Sequence, residues 1–286
     1  MPIRQITIVG TGLIGGSLGL ALRRRGFEGT IIGCDKRSVL EPAQALGAID
    51  RAEADLERAI EGSHVVVLAT PVGCILSQLE AIAPLVGADT LITDTGSTKQ
   101  QFVERARMVL GDAAADGVLP GHPMAGKEHS GIENADAELF RDAVWLITPI
   151  NETRSYTTRQ QEYVDLLQSI GARVIALDAE RHDRLCAWVS HLPQMISTAL
   201  ASLLREALGG EEAVTQIGGR ALREMTRIAA SPYSMWRDIA MTNTANLEDV
   251  LLGFEQQLSH LRENLRGPAL RELFESANEF GRKRVG

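Results

Sequence analysis

Short apolar runs alternate with longer helical patterns through the first 178 of the 286 residues. The run Val65-Val66-Val67-Leu68 carries no polar side chain, which is typical of a strand buried on both faces. The alternation predicts an α/β domain with a mostly parallel sheet covered by helices on both sides. The predicted strands are 5–10, 30–35, 64–70, 90–95, 117–121, 144–149 and 173–178, and the clearest predicted helices are 13–25, 73–85 and 98–110.

After Asp178 the strand signals end, and apolar residues at helical spacing form two long stripes. The first comprises Leu185, Trp188, Val189, Leu192, Ile196, Ala199, Leu200 and Leu203, and the second comprises Leu247, Val250, Leu251, Phe254, Leu258, Leu261 and Leu265. Between them, Ser231 and Pro232 are predicted to be the N-cap and the first residue of a helix. We therefore predict a sheet domain over 1–178 and an all-α helical domain over 179–286. The stripes favour a dimer through the helical domain, and a closed monomeric bundle would leave the same pattern.

Composition narrows the possible partners and the compartment. A formal net charge of -8 argues against nucleic acid as a partner, because phosphate binding needs clustered cations. The three cysteines, Cys34, Cys74 and Cys186, are far apart, which predicts free thiols and neither a disulfide nor a metal site. The N-terminus lacks the pattern of a signal peptide, and no apolar run is long enough to span a bilayer. We expect a cytoplasmic protein that contacts no membrane.

Three glycines mark the end of the first predicted strand and the start of the first predicted helix. Gly10 permits a tight turn, Gly12 leaves room for a pyrophosphate, and Gly15 lets the helix pack closely on the strand. Leu13 and Ile14 begin the helix, whose free N–H groups attract phosphate oxygens. The apolar strand before the glycines and the helix after them predict a Rossmann-like dinucleotide-binding domain over 1–178.

Asp35 ends the second predicted strand, about twenty residues after the glycines. A carboxylate at this place accepts hydrogen bonds from the adenosine ribose and repels a 2′-phosphate, which favours NAD over NADP. Lys36 and Arg37 follow directly and could pair with a phosphate, so NADP is not excluded. Thr70 and Pro71 end another strand, and we expect them beneath the nicotinamide ring.

Four further segments carry candidate functional residues, and both their sequences and their order along the chain are informative. They are Asp94-Thr95-Gly96-Ser97-Thr98-Lys99, Gly121-His122-Pro123-Met124-Ala125-Gly126, Ser190-His191-Leu192-Pro193, and Thr226-Arg227-Ile228-Ala229 followed by Ser231-Pro232-Tyr233-Ser234-Met235-Trp236-Arg237-Asp238. Together these segments resemble the prephenate and arogenate dehydrogenase family over nearly the whole chain. The resemblance implies an oxidoreductase of tyrosine biosynthesis that uses NAD to convert prephenate to 4-hydroxyphenylpyruvate by oxidative decarboxylation. Arogenate is the alternative substrate.

The resemblance also implies roles for individual residues. His122 corresponds to the catalytic histidine, and Ser97 to a serine that hydrogen-bonds near it and the substrate hydroxyl. His191 and Arg227 correspond to residues that hold the substrate, with the arginine pairing to a carboxylate. Lys127 stands beside the Gly-His-Pro segment where the family often has threonine, and we include it among the candidate substrate-binding residues.

The chemistry of the implied reaction suits these side chains. A neutral imidazole can accept a hydrogen bond from a hydroxyl as hydride departs from its carbon, and histidine alone has an unperturbed pKa near neutral pH. Prephenate is a dianion, and the planar guanidinium of Arg227 matches a carboxylate. Pro193 removes a helical hydrogen bond to the carbonyl of Val189, so we expect a kink beside His191.

Plainer interpretations exist for each candidate. The His122-Pro123 pair could be a simple turn, Ser97 could cap a helix beginning near Thr98, and Arg227 could form a surface ion pair. His129, His182 and His260 lie outside the matching segments, and we expect them at the surface.

Two other functions remain possible from the sequence. A β-hydroxyacid-type dehydrogenase would need a lysine base in the helical domain, where Lys283 in the tail is the one lysine. A non-catalytic NAD-sensing dimer would need neither His122 nor Arg227.

Overall fold

The structure of the protein is a computed structural model that describes residues 2–127, 129–151, 153, 155–209 and 212–285. Contacts group the chain into two compact units, one ending at Asn243 and one beginning at Thr244. The helices that follow Asp178 as far as Asn243 therefore belong to the same unit as the sheets. The domain boundary at 178/179 stays a prediction from the sequence.

The first sheet consists of five parallel strands in the order β3-β2-β1-β4-β5. Both faces are buried: Ile6 and Val67 belong to one core cluster, whereas Val66 and Ile32 belong to the other. This confirms the prediction of a Rossmann-like parallel sheet covered by helices. The short polar strand β3 escaped prediction because it has no apolar run. The strands are β1 (Gln5–Val9), β2 (Thr30–Cys34), β3 (Arg51–Glu53), β4 (Val65–Leu68) and β5 (Leu91–Asp94).

A second sheet has the order β6-β7-β8, formed by Gly121–Pro123, Val144–Ile147 and Arg173–Ala176. Strands β6 and β7 are antiparallel, and β7 and β8 are parallel. The strand predicted at 117–121 is wrong in its placement, because Val118 forms only a single bridge to Ile92 of β5 and β6 begins at Gly121. Pro120 lies between the two pairings and has no N–H to continue the first one.

Helices connect and cover the strands of the larger unit. Along the sheets they are α1 (Leu13–Arg24), α2 (Arg37–Ala45), α3 (Leu56–Ile60), α4 (Val72–Ile82), α5 (Gln100–Leu110), α6 (Ala114–Gly117) and α7 (Thr158–Ser169). Those that follow are α8 (Ala179–Cys186), α9 (Leu192–Leu208), α10 (Glu212–Ile217), α11 (Arg220–Thr226) and α12 (Tyr233–Thr242). Helix α12 begins one residue later than predicted, since Pro232 rather than Ser231 is its N-cap.

A π-helical turn, Ala187–His191, joins α8 to α9. The N–H of Leu192 bonds to the carbonyl of Ala187, five residues back, and Pro193 follows without an N–H to offer Val189. The irregular turn beside His191 agrees with the predicted kink. Part of the predicted stripe is buried at Leu192, but Trp188 and Val189 are more than half exposed in the single chain.

The smaller unit consists of α13 (Thr244–Glu263) and α14 (Pro268–Val285). Among the described residues of the whole chain, no helix is both long and apolar enough to cross a membrane.

Candidate active site

The glycine turn after β1 has the geometry that a dinucleotide requires. Gly10 has a φ of +94°, and a methyl group there would lie 2.6 Å from the carbonyl oxygen of Ala69. A methyl group at Gly15 would lie 2.0 Å from the carbonyl oxygen of Gly10, so only glycine lets α1 approach β1. At Gly12, by contrast, no atom of the described residues lies within 4 Å of such a group, apart from Gly12 and its chain neighbours. The backbone therefore leaves open space where a phosphate would approach.

The N-terminus of α1 faces this space with Leu13 and Ile14 in its first turn. No side chain of the described residues caps the helix, so its first N–H groups are left for an anion. The carboxylate of Asp35 accepts hydrogen bonds from the backbone N–H of Thr11 at 2.9 Å and of Lys36 at 2.7 Å. These bonds fix the acidic side chain beside the glycine turn. The residues present fit a dinucleotide with free ribose hydroxyls.

Thr70 and Pro71 connect β4 to α4 and adjoin the same turn. The methyl carbon of Thr70 is 2.7 Å from the position of a methyl group on Gly10, and its hydroxyl donates to Oε1 of Gln78 at 2.7 Å. The N–H of Gly73, in the first turn of α4, donates to Asp238 of α12 at 3.0 Å. A carboxylate from the helical part thus holds the helix that follows Pro71.

Asp94, at the end of β5, ties two candidate loops together. Its Oδ2 accepts from the N–H of Gly96 at 2.8 Å, and its Oδ1 accepts from the N–H of Gly121 at 3.0 Å. Lys99 closes the arrangement, with Nζ 2.5 Å from Oδ2 of Asp94 and 3.0 Å from the carbonyl oxygen of Thr98. One buried carboxylate therefore positions the residue before Ser97 and the residue before His122.

His122 lies on β6, almost completely buried, and its Nδ1 is 2.9 Å from Nε2 of His182. Nδ1 of His182 is in turn 2.8 Å from Oδ1 of Asp183. The expectation that His182 lies at the surface is wrong: it is 0% exposed. Its burial results from the packing of α8 against α5, which the local sequence does not reveal.

Asp183 is fixed at the start of α5. It accepts hydrogen bonds from the backbone N–H of Lys99 at 2.7 Å and of Gln100 at 2.9 Å. These are helix N-terminal donors without intrahelical partners, and Asp183 satisfies both of them. The alternative that Ser97 caps this helix is wrong, because the helix begins at Gln100 and Asp183 supplies the bonds.

Burial keeps the imidazoles of this cluster neutral. Burial, followed by the neighbouring His182, Lys99 and His191, lowers the pKa of His122 well below its ordinary value. Burial also lowers the pKa of His182, although the hydrogen bond to Asp183 opposes the shift. A neutral imidazole has one nitrogen with a lone pair, as a hydrogen-bond acceptor or general base requires.

Cys186 joins the two imidazoles from α8, with Sγ 3.9 Å from Nδ1 of His122 and 3.7 Å from Nε2 of His182. The cysteine spacing gave no sign of this cluster, whose distances would allow a metal ion. The two imidazoles already bond to each other, however, and burial raises the pKa of Cys186 to about 12. Both conditions oppose metal binding, and we assign the cluster no metal.

His191 is fully buried at the end of the π-helical turn. Its Nδ1 is 3.3 Å from Nδ2 of Asn243, whereas its Nε2 has no partner among the described residues. The ring meets that of Trp236 edge-on at 5.9 Å, and the indole N–H of Trp236 is also without a partner there. Burial lowers the pKa of His191 to about 4. Two neighbouring rings therefore each carry a buried polar atom without a partner among the described residues.

Arg227 begins a 3-10 turn, Arg227–Ala230, that packs against α9. Gln194 of α9 holds this turn, because its Nε2 donates to the carbonyl oxygen of Ile228 at 2.9 Å and its Oε1 accepts from Ser231 at 3.3 Å. The guanidinium itself is exposed. Nearby, Glu224 forms an exposed ion pair with Arg220.

Two further candidates have clear surroundings. Lys127 is partly exposed and binds the carbonyl oxygen of Asn134 at 3.0 Å and Asp136 at 3.2 Å. Ser97 is half-buried in the loop between Gly96 and Lys99, and its hydroxyl makes no hydrogen bond to His122 within the described part of the chain. Its assignment rests on its place in the loop that Asp94 holds.

Comparison with known proteins gives one consistent family. A family model for the nucleotide-binding domain of prephenate dehydrogenase matches residues 18–176, and one for its dimerization domain matches residues 178–279. The chain is 31% identical over 260 residues to the prephenate dehydrogenase of Lactococcus lactis subsp. cremoris, covering 91% of this chain and 70% of that protein.

Solved structures agree. Prephenate dehydrogenase from A. aeolicus, in complex with hydroxyphenyl propionate and NAD+, is 31% identical, with a TM-score of 0.87 over 100% of this chain and 98% of that chain. Synechocystis arogenate dehydrogenase is 29% identical, with a TM-score of 0.76 over 98% of this chain and 99% of that chain.

Proposed function

Because the chain belongs to the prephenate dehydrogenase family, we propose that it oxidises and decarboxylates prephenate to 4-hydroxyphenylpyruvate with NAD. The observation that carries this proposal is the neutral, buried His122, whose Nδ1 is occupied by His182. Its Nε2 has no hydrogen bond among the described residues and remains for a substrate. The product belongs to the synthesis of tyrosine.

NAD would be held by the glycine turn, with its phosphates at Gly12 and the N-terminus of α1 and its ribose at Asp35. When bound, NAD supplies the ring that takes up the hydride from C4 of the substrate. The crystallised A. aeolicus relative contains NAD+, which supports the same cofactor here. Thr70 and Pro71 would lie under the nicotinamide, beside the turn that they contact.

The role of His122 follows from the charge that develops at C4. As hydride leaves, the C4 hydroxyl oxygen becomes electron-poor, and a hydrogen bond donated by this hydroxyl to Nε2 stabilises the oxygen. Ser97, in the adjoining loop, would orient the same hydroxyl. The C1–carboxylate bond then breaks, its electron pair completes the aromatic ring, and CO2 departs. The phenol keeps its proton, so no metal or net proton release is required.

Substrate binding requires cations and donors on the helical side. Arg227 would pair with a carboxylate of the dianion, and His191 would contribute its unpartnered Nε2. Lys127 would act at the edge of the site, where Asp136 already holds its ammonium group. The alternative, a β-hydroxyacid-type dehydrogenase, would need a lysine base in the helical region, and the sequence contains no lysine between 179 and 243.

The proposal also covers the oligomeric state and the part of the chain that binds the dinucleotide. We infer a homodimer through the helical region 179–286, since apolar side chains such as Leu203, Met241 and Phe274 are more than half exposed in the single chain. The matched dimerization model supports this inference. The dinucleotide-binding region would be 1–178. A cytoplasmic location stays a prediction from the sequence.

An assay that measures both products of the reaction tests the function directly. Purified protein with NAD and prephenate should form NADH and 4-hydroxyphenylpyruvate in equal amounts. Parallel reactions with arogenate and with NADP would rank substrates and cofactors. A protein that binds NAD but reduces none of it with either substrate would instead be a sensor, and the proposal would be wrong.

A further inference from the structure

We propose that His182 and Asp183 are positioning residues that fix the tautomer of His122, so that the Nε2 of His122 is always the hydrogen-bond acceptor. The inference rests on the proposed function, in which this nitrogen receives the bond from the substrate hydroxyl. The chain of contacts runs from α5 through Asp183 and His182 to His122.

The direction of every hydrogen bond in this chain follows from its first member. Asp183 receives the backbone N–H groups of Lys99 and Gln100, both of which can only donate. Its Oδ1 therefore acts as an acceptor, and Nδ1 of His182 must be the N–H that donates to it at 2.8 Å. A neutral His182 with its proton on Nδ1 has a lone pair on Nε2.

That lone pair determines the state of His122. Since Nε2 of His182 can only accept, the bond of 2.9 Å must be donated by the Nδ1–H of His122. A neutral imidazole carries one proton, so Nε2 of His122 is left with its lone pair. Without the chain, both tautomers would be populated, and the one with a proton on Nε2 could not accept from a hydroxyl.

The chain is also rigid. His182 and Asp183 are 0% exposed, so water does not compete for their bonds. The backbone carbonyl of Asp183 accepts from Nδ2 of Asn243 at 2.9 Å, so the backbone of α8 at Asp183 is held as well as the carboxylate. The same carboxylate that sets the tautomer thus docks α8 on α5.

A pair of substitutions at one position separates hydrogen bonding from packing. His182→Gln keeps an oxygen that can accept from Nδ1 of His122 and an amide N–H for Asp183, whereas His182→Leu fills similar space and offers neither. We expect His182→Leu to lower kcat about 100-fold, the size of a general acid–base contribution, with the KM for prephenate and the affinity for NAD little changed. His182→Gln should remain within about tenfold of the unmodified protein.

A test of Asp183 must separate its effect on catalysis from its structural role at the start of α5. Asp183→Ala should lower kcat in the unmodified protein and have no further effect on kcat in the His182→Leu background. It should still lower thermal stability in both, and by less in the His182→Leu background, where the bond from His182 is already lost. Asp178→Ala removes the carboxylate that caps α8, which accepts from the backbone N–H of Arg181 at 2.7 Å and makes no hydrogen bond to either imidazole among the described residues. This variant should keep its kcat.

The tautomer of His122 can be determined by NMR spectroscopy in the absence of substrate. In protein labelled with ¹⁵N-histidine, His122 should show a protonated Nδ1 and an unprotonated Nε2, and His182→Leu should mix the two signals. A protonated Nε2 of His122 in the unmodified protein, or an unchanged kcat in a folded His182→Leu variant, would overturn the proposal. If the unmodified protein oxidises neither prephenate nor arogenate, the proposed function fails while the NMR result still decides the tautomer.

Discussion

Removal of the ammonium group at Lys99 should destabilise the protein strongly. The Nζ of Lys99 and the carboxylate of Asp94 are 2.5 Å apart, with side chains 0% and 1% exposed. Lys99→Met keeps an unbranched chain of similar length but leaves the carboxylate of Asp94 without its buried cation. Loss of one partner of a buried ion pair costs about 3–5 kcal/mol. We expect the lower end, about 3 kcal/mol, because Gly96 and Gly121 still donate to Asp94.

The loss should depend on pH. Burial raises the pKa of Asp94, and Lys99 opposes this shift. In Lys99→Met the opposing charge is gone, so the carboxyl group takes up a proton more readily when the protein is folded than when it is unfolded. Its folded pKa then exceeds its unfolded pKa, and the stability deficit should shrink as the pH falls.

Urea unfolding followed by circular dichroism at pH 8 and pH 5 measures both effects. A matched double variant, Asp94→Asn with Lys99→Met, removes both charges and should recover more than half of the loss. A deficit below about 1 kcal/mol at pH 8, the size expected of a surface ion pair, would refute the reasoning. So would a deficit that is identical at the two pH values.

Three other perturbations have definite expected outcomes. Gly15→Ala should abolish NAD binding and lower the melting temperature, since its methyl group would lie 2.0 Å from the oxygen of Gly10, whereas Gly12→Ala should fold normally and only weaken NAD binding. NAD titration and melting curves would distinguish them, and equal melting temperatures would contradict us. Arg227→Ala should raise the KM for prephenate about 10- to 100-fold, from the loss of about 1.5–3 kcal/mol in a charge-assisted bond. An unaltered KM in steady-state assays would remove Arg227 from substrate binding. Because the pKa of His191 is lowered from 6.5 to about 4, the unfolded state binds its proton first, and acidification from pH 6.5 to 4 should cost about 3 kcal/mol. In urea unfolding the loss of stability over this pH range should be about 3 kcal/mol smaller in His191→Gln, and an equal loss in both proteins would disprove the role of this histidine.

The sequence predicted the first sheet well because its strands carry their own signal. Val65-Val66-Val67-Leu68 is buried on both faces, and its apolar run reports this directly. The glycine turn was equally predictable, since tight backbone approach at Gly10 and Gly15 admits no side chain. The three-residue polar strand Arg51–Glu53 gave no such signal and was missed.

The order of the second sheet was not predictable from local pattern. Pro120 interrupts the pairing with β5, and the chain resumes pairing with β7 in the opposite direction at Gly121. Proline marks an interruption in a ladder, but it does not tell which strand comes next. The position of His122 on a strand, rather than in a turn, follows from that tertiary choice.

The partners of His122 could not be predicted from the sequence, because their positions also depend on tertiary contacts. Helix α8 is polar along most of its length, so nothing local indicates that His182 and Asp183 are buried. Their burial depends on α5, whose first N–H groups Asp183 receives from 84 and 83 residues away. Asp94 and Lys99 belong to the segment that was noted for Ser97. The signal that could have found them is an acidic residue at the end of a fully buried strand with a lysine five residues later.

The central claim is that a neutral His122 accepts the hydrogen bond from the substrate hydroxyl while hydride leaves. The most direct measurement is the steady-state formation of NADH from prephenate by His122→Asn, beside the unmodified protein. We predict a kcat lowered at least about 100-fold and a nearly unchanged KM, because the bond strengthens mainly in the transition state. A folded, NAD-binding His122→Asn variant that turns over prephenate at the unmodified rate would contradict the account.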